Sequence, residues 1–313
     1  MFNSGLNPSA VKTAIDEFFF SRFDYAEQPG FITAENPLAF RQASTDKATV
    51  ITEEFGGPGE YGQTVEEQAA PEATIRSGNQ VSRQITNFKK TLPIPKEYFD
   101  DDQFETVQRM FEMLGTRAKT TRDKNSFAIY EGGFSTYTSN DGINIWSASH
   151  TNLNGDTIDN LESGALTPAA FETLWRNLVE QKSQDGEAGG HTPVAFLVPP
   201  ILSPKAHEFL KSDLKANTTD NNLNYWSLLY PGLQIFSSIY LGSAHAKTGY
   251  TNANTAHYLV SQNHSITRWV REGVYTRLVG WEGDDFDRWK YKSGFREKTG
   301  AVSWEGSVAS TGA

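Results

Sequence analysis

Between Ala48 and Lys90 the chain sets a long charged segment, GGPGEYGQTVEEQAAPE, between two runs with strand character. Almost nothing in it can enter a core. Ordering a chain costs about 1–2 kcal/mol per fixed residue, and here no burial offsets that cost. Such a limb must be extended, and it must be held by a surface outside itself. Its charges are sorted. The outgoing part carries Glu53, Glu54, Glu60, Glu66, Glu67 and Glu72, and the return carries Arg76, Arg83, Lys89 and Lys90 without an acid. Glu53, Glu54, Glu66, Glu67, Arg76, Arg83, Lys89 and Lys90 are therefore the candidate contact residues, facing a neighbouring molecule or the opposite limb.

The remaining chain reads as a mixture of helices and strands. Asn7 is an N-cap with Pro8 at the first helical position, and Val11, Ile15, Phe18, Phe19 and Arg22 follow helical spacing. Residues 24–45, with Pro29, Gly30 and Pro37, read as an extended arm lying over other surface. Strands are predicted at 48–55 and 81–90, and Leu92-Pro93-Ile94-Pro95 stiffens the exit from the second. A long helix carries Phe104, Val107, Phe111, Leu114 and Ala118 at three- and four-residue spacing. From Phe127 to Trp146 the pattern predicts aromatic strands, with a β-hairpin at Asn140-Asp141-Gly142. Thr167 and Pro168 open a second helix, with Leu166 and Phe171 as a hydrophobic staple. A covered strand at 194–198, a helix at 204–210 and strands near 233–241, 256–260, 275–281 and 288–307 complete an α+β, mixed α/β, alternation.

Composition narrows the function classes. With 313 residues the chain holds one large or two interleaved domains. A formal charge of −10 argues against general nucleic-acid binding, which needs clustered Lys and Arg. Cys is absent, so disulfides, thiolate metal sites and Cys nucleophiles are excluded. No signal peptide is expected from MFNSGLNPSAVKTAIDEFFF, and no apolar run is long enough for a membrane span.

Chemistry finds little support. None of the six histidines stands four residues from another, and no HExxH frame, Walker loop or strand-linked GxGxxG occurs. WSASHTNLNGD, residues 146–156, places serines, His150 and Asp156 together, yet triads are built by folds and not by sequence adjacency. It reads as a polar loop. The acid pairs Glu53/Glu54, Glu66/Glu67 and Asp284/Asp285 fit glycoside chemistry, but exposed charge runs explain them better. No enzyme, metal or cofactor is expected.

The order of elements, together with GLNPSAVKTAIDEFFFSRFD, KKTLPIPKEYFDDDQFETV, WSASHTNLNG and FREKTGAVSWEGS, resembles the major capsid proteins of tailed bacteriophages. This is the Hong Kong 97-type fold, and the sequence looks closest to the Mu-like head subunit group. The resemblance implies an N-terminal arm at 1–45, an E-loop at 46–95, a peripheral domain with a spine helix at 96–149, an axial domain at 150–272, and peripheral return strands with the C-terminus at 273–313. It also implies homo-pentamers and homo-hexamers of an icosahedral virion shell, assembled in the host cytoplasm. The shell would enclose double-stranded DNA without sequence-specific binding. Portal and scaffolding proteins are implied partners, with decoration proteins as a further class. Rival readings are an encapsulin-type compartment shell and, more remotely, a secreted carbohydrate-active enzyme. Some relatives crosslink a lysine to a neighbour's asparagine; no acceptor or catalytic acid is identified here, and crosslinking is not expected.

Overall fold

The computed structural model describes residues 8–23, 31–66, 68–101, 104–213, 223–247, 254–282 and 288–313. In chain order the elements are α1 (Pro8–Phe23), β1 (Arg41–Ser44), β2 (Thr49–Phe55), β3 (Ser77–Gln84), β4 (Thr86–Pro95), α2 (Glu97–Asp100), α3 (Phe104–Gly132), β5 (His150–Thr151), β6 (Thr157–Ile158), β7 (Leu161–Glu162), α4 (Pro168–Val179), β8 (Pro193–Val198), α5 (Ser203–Lys211), α6 (Tyr225–Leu229), β9 (Gln234–Ser237), β10 (His257–Ser261), β11 (Ile266–Glu282), β12 (Arg288–Ala301) and β13 (Ser307–Ser310). Asn7, Asp102, Glu67 and the Asp284/Asp285 pair lie outside the described residues.

Two mixed sheets organise the molecule. One has the order β1-β11-β12-β4, with β1 parallel to β11 and the other pairs antiparallel. The other runs β7-β13-β10-β8-β9, parallel at its two ends and antiparallel through the middle. β2 and β3 form a separate antiparallel hairpin, from Thr49 opposite Gln84 to Phe55 opposite Ser77.

Three cores hold these parts together. Ile15, Phe19 and Phe23 of α1 pack with Val107, Phe111 and Leu114 of α3 and with Ile94 and Tyr291 of the first sheet. The helices approach closely at Gly115, where a Cβ would stand 2.2 Å from the Phe19 carbonyl oxygen. Backbone cannot retreat as a flexible side chain can. Gly115→Val is therefore expected to force α1 off α3 at about 3 kcal/mol, the upper end of overpacking costs. Urea midpoints measure it, and a variant as stable as the parent would show that the approach is not held in solution.

The second core joins α4 and α5 to the five-stranded sheet through Phe171, Leu174, Leu178, Phe196, Phe209 and Val308. α4 starts as its sequence predicts, with Thr167 Oγ1 accepting the Ala170 N–H and Leu166 in the same cluster as Phe171.

The third core differs most from expectation. The segment at 127–132 is not strand: α3 continues to Gly132 and is 29 residues long, about 44 Å at 1.5 Å per residue. Phe127, Ala128, Ile129 and Tyr130 are all enclosed, so the last two turns of the helix have no exposed face and their sequence imitates a covered strand. The turn at 139–142 does form, with Gly142 at φ +80, but only an isolated bridge joins Thr138 to Asn144 instead of a ladder. Around Tyr130 gather Phe40 at 5.5 Å and Tyr258 at 5.2 Å between ring centroids, and the Trp146 indole N–H donates to the Tyr130 carbonyl.

The arm is also more than a surface strap. Ala34, Ala39 and Phe40 are fully buried, and the Tyr130 hydroxyl donates to the Ala39 carbonyl. Gln42 accepts from Arg268, whose guanidinium is paired with buried Glu297, so the arm is stitched into the first sheet. The stiff Leu92–Pro95 exit lies within β4, an edge strand opposite Tyr291 through Arg288. Proline suits that edge, where an outward position needs no amide donor.

Candidate assembly interface

β2 and β3 diverge after the Gly56 N–H meets the Arg76 carbonyl, and residues 58–66 and 68–77 are exposed. Glu60, Glu66 and Glu72 project from this loop into solvent. So do apolar side chains, with Tyr61 wholly exposed and Phe55, Val65 and Ile75 more than half exposed. A loop of this composition adds nothing to the cores of its own subunit. Among the described residues no ion pair joins its acids to Arg76, Lys89 or Lys90.

The eight candidate contact residues separate into groups. Glu53 is half-exposed opposite Gln80, and Glu66 is exposed. Glu67 lies outside the described residues. Arg76 is exposed at the root, donating to the Leu153 carbonyl and to Asn154 Oδ1. Lys89 and Lys90 are exposed on β4, not on the hairpin, because pairing with β2 ends at Gln84 and pairing with β12 starts at Thr86. Glu54 and Arg83 are buried inside the subunit. Arg83 donates to Thr52, to Asn140 Oδ1 at 2.7 Å and to the Ala301 carbonyl at 2.6 Å, and it lies 5.8 Å over the Trp269 ring. It pins the hairpin root to the first sheet.

The sheet beside the root is basic on one face. Tyr291 and Phe295 point toward the helices and Phe88, so the alternating Lys290, Lys292 and Arg296 point away. Lys89, opposite Gly294, and Arg277, opposite Lys292, join them. Among the described residues Glu272 is an acid on this face, 3.1 Å from Arg296 and 4.0 Å from Arg277.

The root itself holds groups that the sequence did not single out. Asn140 donates to the Thr52 and Asn79 carbonyls, bridging both hairpin strands to the turn after α3. Burial, then the Asp141 and Glu305 carboxylates, push the Glu54 carboxyl up to about 7, against the Asn79 N–H and Arg83. Burial would raise Asp141 too, but hydrogen bonds from His150, Ser139 and the Ile143 N–H hold it low. Asn140-Asp141-Gly142 signalled only a turn, and nothing in the sequence ties it to residue 54.

The serine, histidine and acid of the 146–156 loop do not form a catalytic triad. His150 is fully buried, with Nδ1 2.6 Å from Asp141 and Nε2 3.1 Å from the Ile145 carbonyl, so neither nitrogen remains to take a proton from a serine. Among the described residues no group of His, Asp and Glu could hold a metal ion, and no helix is long and apolar enough to cross a membrane.

Comparison with known proteins agrees with this geometry. The capsid of Myoviridae phage XM1 superposes with a TM-score of 0.50 at 10% identity, covering 93% of this chain and 97% of its own. Mycobacterium phage Ogopogo gives 0.50 at 11% identity, covering 91% and 94%. The capsid of cyanophage P-SCSP1u gives 0.50 at 11%, covering 91% and 90%. These likenesses establish the Hong Kong 97-type fold, α+β in class. No curated protein matches in sequence. The phage capsid protein family model matches residues 78–310, roughly three quarters of the chain, which decides for a phage shell over a compartment shell or a carbohydrate-active enzyme. The chain therefore belongs to the phage capsid protein family, and it is a structural, non-enzymatic subunit of the virion shell.

Proposed function

We propose that this subunit is the major head protein of a tailed double-stranded DNA phage, closing into homo-pentamers and homo-hexamers of an icosahedral shell. The carrying observation is the hairpin loop, whose acids and exposed Tyr61, Val65 and Ile75 have no partner surface in their own subunit. A second copy supplies one. The acids at Glu53, Glu60, Glu66 and Glu72 are complementary to a neighbour's Lys89, Arg277, Lys290 and Lys292, with Arg76, Lys90 and Glu67 as flanking contacts. Affinity then arises from many weak contacts repeated over the shell.

In domain terms, residues 1–45 act as the arm. The E-loop ends near Ile85, since β4 pairs along its length with β12. The peripheral domain is built on α3 and the return strands. The axial domain is the five-stranded sheet with α4 and α5, ending near residue 265, where β11 enters the other sheet. The motifs GLNPSAVKTAIDEFFFSRFD and WSASHTNLNG support placing the chain in the Mu-like group. Packaged DNA, portal and scaffolding proteins, and any decoration protein, are its partners in that reading. A net charge of −10 fits DNA enclosed without wall attraction.

Electron microscopy with light scattering of the purified protein tests the proposal. Rings or closed shells are expected, and a monomer that never assembles at any salt or concentration refutes it.

A further inference from the structure

The hairpin root encloses an acid that the fold leaves without a committed counter-charge. Glu54 on β2 is 4% exposed, and its Oε1 has no hydrogen-bond partner. Three elements face it. Asp141 comes from the turn after α3, Glu305 from the segment before β13, and Arg83 from β3. The guanidinium donates to Thr52, Asn140 and Ala301, and its charge only partly offsets the two acids. Behind this first ring, His150 holds Asp141, and Asp185 stands beside Glu305. Little slack exists, because a Cβ on Gly78 would stand 2.9 Å from Glu54 Cβ and 3.1 Å from Leu153 Cδ2.

We propose that Glu54 is a protonation latch for the hairpin: neutral, it lets the root pack between the turns bearing Asp141 and Glu305, and ionised, it is repelled by both and loosens the root. The latch belongs to the single subunit and does not depend on shell formation. Ionisation creates two like-charge contacts at a carboxyl that is itself buried, where such contacts are stronger than in open water. The opposing cation is held by its bonds to Thr52, Asn140 and Ala301. With the Glu54 carboxyl pushed up to about 7, the change falls near neutral pH. Acid holds the hairpin at one angle to the sheets, and mild alkali releases it.

Hydrogen exchange of the full chain at pH 6 and 8.5, corrected for intrinsic rates, reads the latch directly. Amides of residues 49–55 and 77–84 are expected to lose about tenfold protection at pH 8.5, while β8 and β10 stay constant. Glu54→Gln is expected to keep the protection at both values. Glu305→Gln removes one repelling charge, so the transition should move to lower pH, which keeps the test decisive if the first variant does not fold. Protection equal at both pH values in the parent chain overturns the latch. So does a pH-dependent loss that survives in Glu54→Gln, or a midpoint unmoved in Glu305→Gln.

Discussion

Lowering the pH from about 6.5 to 4 is expected to destabilise the subunit, chiefly through His257 and His264. Both are buried, with 0% and 1% of their surface exposed, and burial holds each at about 4. Arg41 opposes a proton on His264, and Lys205 opposes one on His257. The unfolded chain takes up these protons below 6.5 while the folded chain refuses them down to 4, so stability is lost as pH falls through that window. At 1.36 kcal/mol per pH unit this is about 3 kcal/mol for each histidine. Burial lowers His191 as well, which adds in the same direction. Glu54 opposes them. Its folded carboxyl stays neutral to about 7 while the unfolded one ionises from 4.5, so its contribution is full in acid and lost by neutrality. That returns about 3 kcal/mol on acidification, less than the two histidines together lose. Urea midpoints at pH 7 and 4 measure the sum. In His264→Gln the pH-dependent loss should shrink by about 3 kcal/mol, and an unchanged loss would mean that His264 titrates normally in the folded chain.

Replacing residues 57–75 by an Asn-Gly turn should leave the subunit folded and abolish shells. The Gly56 to Arg76 hydrogen bond already closes the ladder, so the turn continues a register that exists. The removed side chains belong to none of the three cores. What is lost near the subunit is the Gly59 N–H contact to Asp185, on the surface. Fixing roughly twenty residues costs on the order of 20–40 kcal/mol, which only contacts repeated around a shell can offset. Circular dichroism should give a melting temperature within a few degrees of the parent, and electron microscopy should show no closed particles. Shells of normal size from this variant would remove the loop from assembly.

Sequence reading succeeded where local rules dominate. Thr167-Pro168 fixed the start of α4 because capping and staple lie within five residues of each other. The polar loop at 146–156 was legible from its Asn and Asp residues; Asn152 Oδ1 accepts from the Asn154 and Asp156 amides. It failed where distant partners decide. Phe127 to Tyr130 imitate a strand because every side of the helix is covered, by Phe40 of the arm, Tyr240 and Tyr258. Arg83 looked like one basic residue in a series, yet its partners Asn140 and Ala301 are 57 and 218 positions away. The charged limb reads as one return strand, whereas the chain changes partner at Ile85, from β2 to β12. The parallel pairing of β1 with β11 joins residues more than 220 positions apart and leaves no local trace.

β13 lies in the interior of the five-stranded sheet, with β7 on one side and β10 on the other. The sheet therefore stays open until Ser307–Ser310 have left the ribosome. At roughly 5–20 residues per second, the finished hairpin waits on the order of ten seconds or more for the strand that completes the other half of the molecule. During that interval the nascent chain carries the hairpin but not the closed five-stranded sheet. The order of synthesis thus puts the hairpin ahead of the strand that closes the sheet.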